Sequence, residues 1–144
     1  MYGNIGLLDI YQQVIDKVSN INRNTITNTI IPTIMKNIRG TVYSNDDGGM
    51  DGEIVIAYKN KAYAITGNYN VIDIEDIYTM GSGGTTAFGS LFTSKYNNMT
   101  PESRVMIAIK SAGNRISTVS KEAYIGDTSG SPFTQMNTIK YSEK

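Results

Sequence analysis

The sequence predicts an α+β fold in which an antiparallel sheet packs with helices. Apolar residues recur at helical spacing in the first and last thirds of the chain, and β-branched and aromatic runs separated by turn residues fill the middle. We therefore expect one domain over 1–144, with two helices over 4–39, a sheet over 53–80, two helices over 84–116 and C-terminal strands over 121–141.

Helical spacing predicts the two N-terminal helices. The first presents one apolar face made of Leu7, Leu8, Tyr11, Val14, Ile15 and Val18. After a polar link over 19–24, the second helix is expected to run from Thr29 to Arg39. Thr29 would be its N-cap, Pro32 would lie in its first turn, and Gly40 would close its C-terminal end.

The middle of the chain predicts four strands after a polar loop. The loop over 45–52 combines acidic residues with glycines, but their order does not match the ligand spacing of a helix–loop–helix calcium site. We interpret it as a flexible connection. Glu53–Tyr58 and Ala62–Thr66 should form a hairpin, followed by strands at Val71–Ile74 and Ile77–Met80.

A glycine-rich turn at Gly81–Gly84 then opens the second pair of helices. The first of these should lie on the sheet through a stripe made of Ala87, Phe88, Leu91 and Phe92. The next helix begins with Thr100 as N-cap, a proline at its first position and Glu102 near the positive end of its dipole. It should bury against the sheet an apolar face made of Val105, Ala108, Ile109, Ala112 and Ile116. Strands are expected around Ala123–Ile125 and Phe133–Ile139.

Composition excludes several function classes. The chain has 13 basic and 13 acidic residues and therefore lacks the basic surface that nucleic-acid binding needs. It has no cysteine and no histidine, which excludes disulfides, ordinary zinc sites and Ser-His-Asp or Cys-His catalysis. The first residues have neither the basic leader of a signal peptide nor the length of a membrane span. We expect a cytoplasmic protein of a Gram-positive bacterium or its phage, without nucleic-acid or membrane partners.

The glycine-rich turn does not match two common nucleotide motifs. A dinucleotide fingerprint would place its third glycine at position 86, which is Thr86, and no lysine follows the glycines as a phosphate loop requires. The backbone N–H groups at the helix start retain only a general capacity for a small anion.

The order of elements and several motifs resemble the later part of a proteasome β-type subunit and of the bacterial ring peptidase HslV, in the N-terminal-nucleophile hydrolase superfamily. The residues that carry this resemblance are Tyr63–Asp73, Met80–Gly84 and Thr100–Gly113. The order of elements matches over about 1–130, and the residues match over about 53–116. The resemblance implies a partial sandwich of that type, which lacks the leading strands and the catalytic threonine.

The resemblance also implies candidate site residues. Ser82 matches the serine of the family's Gly-Ser-Gly turn, which sits beside the nucleophilic threonine and helps to orient its amine; the alternative is that Ser82 caps the following helix. Asp127 and Ser129 resemble a late Asp-x-x-Ser-Gly segment, although the spacing here is one residue shorter. Gly40-Thr41 and Gly84-Thr85 look like propeptide cleavage points. Thr41, however, is too close to Gly81 to leave room for the leading sheet and two helices, and a helix follows Gly84-Thr85 where a strand should. No catalytic residue is identified, and no cofactor or metal is expected.

Three functions follow from the sequence. The first is a proteasome-like subunit, non-catalytic as given, that acts by self-assembly or protein binding, because a sandwich without its leading strands exposes edges that pair with other chains. The second is a threonine peptidase subunit whose catalytic strands lie upstream of Met1. The third is a small phage or bacterial effector that binds a ligand or host protein through the turn at 81–86. Whether the chain is an enzyme stays open at this point.

Overall fold

The computed structural model describes residues 11–120, 122–129 and 134–137. The chain divides between Glu75 and Asp76 into two compact units, and each is described by itself. The start of the first predicted helix and parts of the predicted C-terminal strands, including Phe133 and Ile139, lie outside the described residues. The single domain over 1–144 stays a prediction.

The described part of the first unit contains a helical segment over 11–15 and a longer helix, α1, over 23–38. Helix α1 consists of an α-helical turn at Arg23–Thr25, a π-helical segment at Ile26–Ile30 and an α-helical segment at Ile31–Ile38. The widened π segment ends two residues before Pro32, whose ring would clash with the carbonyl four residues earlier in a regular α-helix.

Both ends of α1 are capped, but the start differs from the sequence prediction. The prediction of Thr29 as N-cap is wrong, because Asn22 takes that position and its side chain accepts a hydrogen bond from the Thr25 N–H at 3.0 Å. The helix therefore begins six residues earlier than the proposed cap. Gly40 follows the last turn with a φ of +74°, which confirms its predicted place at the C-terminal end.

The sheet of the first unit has three antiparallel strands in the order β1 (Ile54–Tyr58), β2 (Lys61–Ile65) and β3 (Val71–Ile74). Three of the four predicted strands are thus confirmed. The prediction of a strand at Ile77–Met80 is wrong, since those residues are not in a strand. In the described sheet β3 pairs with β2 alone, so residues 77–80 lack the neighbouring strand that a β-strand requires.

The core of the first unit lies between α1 and the sheet. Four isoleucines spaced four residues apart along α1 are at most 1% exposed, and they belong to one cluster with residues of the sheet and the preceding loop. The main members are Ile26, Ile30, Ile34, Ile38, Met50, Ile54, Ile56, Tyr63 and Ile65. The amphipathic pattern of α1 therefore gives this unit a fully buried apolar layer.

The loop over 41–52 is held by backbone hydrogen bonds, in contrast to the flexible connection that its composition suggested. The Met50 N–H donates to the Gly67 carbonyl at 2.7 Å, and the Asp51 N–H donates to the Tyr43 carbonyl at 2.9 Å. Met50 is buried and ties the loop to the core. Across the part of the chain that the structure describes, no group of three or more carboxylate, cysteine or histidine side chains could hold a metal ion.

The second unit contains helices α2 (Gly84–Ser94) and α3 (Pro101–Arg115) and a β-hairpin of β4 (Glu122–Ile125) and β5 (Thr134–Asn137). Both helices match their predicted positions. Thr100 caps α3 as predicted, since its hydroxyl accepts a hydrogen bond from the Ser103 N–H at 3.3 Å.

Helices α2 and α3 pack against each other. Ala108 and Ala112 of α3 are buried, whereas Val105 and Ile109 are half-buried. The side chain of Arg104 donates to the Leu91 carbonyl at 3.0 Å, which holds the end of α2 against α3.

The stripe predicted for burial on α2 is only partly buried. Ala87 and Leu91 are half-buried, but Phe88 and Phe92 are exposed. Among the described helices, none is both long and apolar enough to cross a bilayer.

Candidate functional site

The candidate site is the glycine turn that opens α2. Gly81 has a φ of +80°, a left-handed conformation that L side chains rarely adopt, and its carbonyl accepts a hydrogen bond from the Gly84 N–H at 3.0 Å. Gly83 lies so close to its neighbours that a Cβ atom there would come within 2.7 Å of Val119 and 3.0 Å of the Ala112 Cβ. The glycines are therefore required by the geometry of the turn and by its packing against the end of α3.

Ser82 lies at the exposed tip of this turn. Its Oγ is 2.9 Å from the Oγ1 of Thr118, and either hydroxyl can be the donor. The interpretation of Ser82 as the cap of this helix is wrong, because Gly83 occupies the N-cap position of α2. Ser82 instead links the turn to the segment that follows α3.

Thr118 is a site residue that the sequence analysis did not find. It lies in a short turn after α3, in which the Val119 N–H donates to the Ile116 carbonyl at 3.1 Å. Thr118 is 36 positions from Ser82, and no local motif marks it. Only the return of the chain after α3 brings the two hydroxyls together.

Asp127 and Ser129 meet each other in the turn after β4. The Oδ1 of Asp127 accepts a hydrogen bond from the Ser129 N–H at 2.7 Å and another from the Ser129 hydroxyl. These two bonds favour the ionised carboxyl and lower the pKa of Asp127 below its usual value. These bonds form an Asx turn. The family resemblance implies that these residues help to position the nucleophile, and this role stays a prediction.

The side chains that carry chemistry at the turn are neutral hydroxyls, and the nearest ion pair on α2 lies at the opposite end of the helix. Thr85 is exposed in the first turn of α2, and Thr86 is half-buried. Lys95, just after α2, forms an exposed ion pair with Asp76, and the hydrogen bond from its ammonium group raises the pKa of Lys95. The arrangement can donate and accept hydrogen bonds, but a hydroxyl is not a base for another hydroxyl at neutral pH.

The first unit has a separate cleft of about 430 Å³ beside the C-terminal end of α1. Lys36, Arg39 and Tyr69 are among the residues that line it. Tyr69 has a φ of +61°, and burial raises the pKa of its phenol. Cations at the end of a helix interact favourably with its dipole, which accounts for Lys36 and Arg39. None of the site residues predicted from the sequence lies at this cleft.

The structure is similar to solved structures of Thiobacillus denitrificans BPH, a proteasome-related bacterial protein. The first matches with a TM-score of 0.59 and 15% identity, over 95% of this chain and 73% of that chain. The second, BPH in complex with epoxomicin, matches with a TM-score of 0.54 and 15% identity, over 93% of this chain and 69% of that chain. No family model and no curated protein matches the sequence. At this identity the likeness concerns the fold, which is α+β and consistent with a partial proteasome-like fold.

Proposed function

We propose that this chain is a cytoplasmic protein with a proteasome-like fold that acts by assembling with itself or with another protein, and that its 144 residues do not hydrolyse peptides. The observation that carries the proposal is the hydrogen bond between Ser82 and Thr118. Ser82 matches the serine that helps to orient the nucleophile in the proteasome family. In this chain its hydrogen-bond partner is the neutral hydroxyl of Thr118.

Peptide hydrolysis needs a nucleophile and a base within hydrogen-bond reach of each other. Neither Ser82 nor Thr118 is a base at neutral pH. Asp127 is the one carboxylate that the family resemblance places near catalysis, and its bonds to Ser129 lower its pKa, which makes it a weaker base. A proteasome-like fold can serve binding as well as catalysis, since function depends on the site and not on the fold.

Incubation with epoxomicin tests the absence of catalysis. The purified 144-residue chain should gain no mass in intact-mass spectrometry and should release no fluorophore from fluorogenic peptides. Thiobacillus denitrificans BPH, whose structure is known in complex with epoxomicin, serves as the parallel sample. Turnover that Ser82→Ala or Thr85→Ala abolishes would refute the proposal.

Ser82→Ala also tests the structural role of this residue. We expect a loss of about 0.5 kcal/mol in the free energy of unfolding, because an exposed bond between two hydroxyls is replaced by bonds to water. Thr118→Ala should give the same small loss, and the double variant should lose no more than either single variant. A larger loss for Ser82→Ala alone would indicate a partner other than Thr118.

A threonine peptidase is the second candidate, and the fold likeness to a protein solved with epoxomicin favours it. In this case the nucleophilic threonine and the leading strands would be encoded upstream of Met1. An in-frame upstream sequence with a threonine-led strand, followed by aspartate and lysine, would support the peptidase. A stop codon directly upstream would exclude it.

A further inference from the structure

The cleft beside the C-terminal end of α1 brings together three segments that are separate in the sequence. The end of α1, the loop over 41–52 and the turn between β2 and β3 all contribute to its lining. Its volume of about 430 Å³ lies within the range of small-molecule sites. The cleft is therefore large enough for a ligand, and the chemistry of its lining indicates which kind.

Lys36 and Arg39 give this cleft a positive charge. They lie three positions apart at the end of α1, so they are neighbours on the helix surface, and like charges at such spacing repel each other. Within the described residues, neither side chain forms an ion pair. The loop over 41–52 contains three aspartates, but none of them lines the cleft. The two cations thus face the cleft without a paired carboxylate from the part of the chain that the structure describes.

Tyr69 provides an independent observation at the same cleft. The helix dipole favours cations at the end of α1, but it does not account for a tyrosine that reaches the cleft from another turn. Tyr69 has a φ of +61°, which bulky residues rarely adopt, and its N–H donates to the Thr66 carbonyl at 2.8 Å. Among the described residues, its phenol hydroxyl has no hydrogen-bond partner. This hydroxyl can therefore donate to a ligand in the cleft.

The remaining lining is largely apolar. Met35 is a 43% exposed apolar side chain, and Ile38 joins the cleft to the core of the first unit. Ser44 adds one hydroxyl, which donates to the Asn45 carbonyl at 3.3 Å and can still accept a hydrogen bond. An apolar lining with a few polar and charged groups is typical of a site for small organic molecules.

We infer that this cleft binds a small organic anion, in which a carboxylate or phosphate group is attached to an apolar body. Arg39 and Lys36 pair with the anionic group through charge-assisted hydrogen bonds, which are roughly twice as strong as neutral ones. The Tyr69 hydroxyl donates to the same group, and the apolar body lies against Met35. The inference concerns the first unit alone, and it depends neither on the proposed assembly nor on the absence of catalysis.

Titration of the full, isotope-labelled chain with phenylpropionate, followed by amide NMR, tests this inference. We expect the signals of Arg39, Ser44 and Tyr69 to shift with a Kd of about 1 mM, as expected for a ligand of this size. Phenylpropanol has the same apolar body without the charge and should bind at least about fivefold more weakly. Phenyl phosphate is the second anion, and the tighter binder of the two identifies the anionic group that the cleft prefers.

Arg39→Gln tests the cation, and Arg115→Gln is its matched control. Arg39 is exposed, so its replacement should leave the fold intact and raise the Kd for phenylpropionate at least about fivefold. Arg115 is an exposed cation in the last turn of α3 and does not line the cleft, so its replacement should leave the Kd unchanged. Both variants lose a cation at a helix end, so only a role in the cleft separates them. An unchanged Kd in Arg39→Gln would overturn the inference.

Tyr69→Phe tests the hydroxyl without removing the ring. We expect phenylpropionate to bind about two- to fivefold more weakly, with a melting temperature within about 2 °C of the wild type, because no described residue bonds to this hydroxyl. Two results with the wild-type chain would overturn the inference. One is equal affinity for phenylpropionate and phenylpropanol, which would make the cleft a site for neutral apolar molecules. The other is the absence of shifts at the cleft residues up to about 20 mM phenylpropionate.

Discussion

The two units of this chain bury different kinds of side chain. In the first unit α1 buries a row of isoleucines, among them Ile34, which is 1% exposed. In the second unit α3 buries Ala108 and Ala112, and α2 leaves Phe88 and Phe92 exposed. Burial of apolar area is the main source of stability, and exposed apolar area is the main source of association. Among the described residues, the first unit therefore has a closed core of large apolar side chains, whereas the fully buried side chains of α3 are small.

The largest expected effect comes from replacing one isoleucine with alanine in each of the two units. Ile34→Ala should lower the free energy of unfolding by about 2–5 kcal/mol, because it leaves a cavity in a closed core. Ile109→Ala removes the same atoms from a half-buried position and should cost about 1–2 kcal/mol. Urea unfolding followed by circular dichroism measures both values. Equal losses would show that the second unit has a core as closed as that of the first.

Two glycine substitutions in the second unit should change the free energy of unfolding in opposite directions. Gly83→Ala should cost about 1–3 kcal/mol, because its methyl group would meet Val119 at 2.7 Å and Ala112 at 3.0 Å. Gly89→Ala has open space and should stabilise the helix by about 0.5–1 kcal/mol. Thermal unfolding measures both. If Val119→Ala does not reduce the loss caused by Gly83→Ala, this contact is not its cause.

Alkaline pH should weaken the first unit through Tyr11. Burial, with a smaller contribution from nearby Tyr69, raises the pKa of Tyr11 to about 12 from an ordinary value of 10.0. The folded state thus favours the neutral phenol, so its contribution is complete below about pH 10 and is lost as the pH rises toward about 12.

Urea unfolding between about pH 8 and pH 12 measures this dependence. The control Tyr11→Phe lacks the ionisable group and should show a shallower loss above about pH 10. It also lacks the bond from the Tyr11 hydroxyl to the Met50 Sδ at 2.8 Å, which lowers its stability by a constant amount below about pH 10. Identical slopes for the two proteins would show that another group titrates.

The smallest effect concerns the exposed ion pairs, one in each unit. Arg23 pairs with Asp73, and its guanidinium also donates to the Val71 carbonyl at 2.8 Å, which joins α1 to β3. Arg23→Ala should cost up to about 1 kcal/mol. Lys95→Ala should cost less, because within the described residues Asp76 is the one hydrogen-bond partner of the Lys95 ammonium group. High salt should reduce the difference in the free energy of unfolding between the two variants. A larger loss for Lys95→Ala than for Arg23→Ala would contradict this prediction.

Much of the fold follows from local sequence signals. The isoleucine row of α1, the hairpin of β1 and β2, and the Thr100 cap of α3 each arise from residues within one or two turns or strands of each other. The prediction of a strand at Ile77–Met80 is wrong, because a strand needs a neighbouring strand to pair with. The residues of one segment do not show whether such a neighbour is present. The predicted Thr29 cap failed, because an equally good cap, Asn22, lies seven residues earlier.

The sequence by itself determined the α+β class, the positions of α2 and α3 and of the first three strands, and the glycine turn at Gly81–Gly84. Helical and strand periods and capping residues are local properties, and one sequence is enough to display them. Only the tertiary structure decided that Ser82 bonds to Thr118 and that the phenylalanines of α2 face solvent. Both facts depend on which side of a helix contacts which distant segment. An amphipathic pattern does not identify the segment that its apolar face will contact.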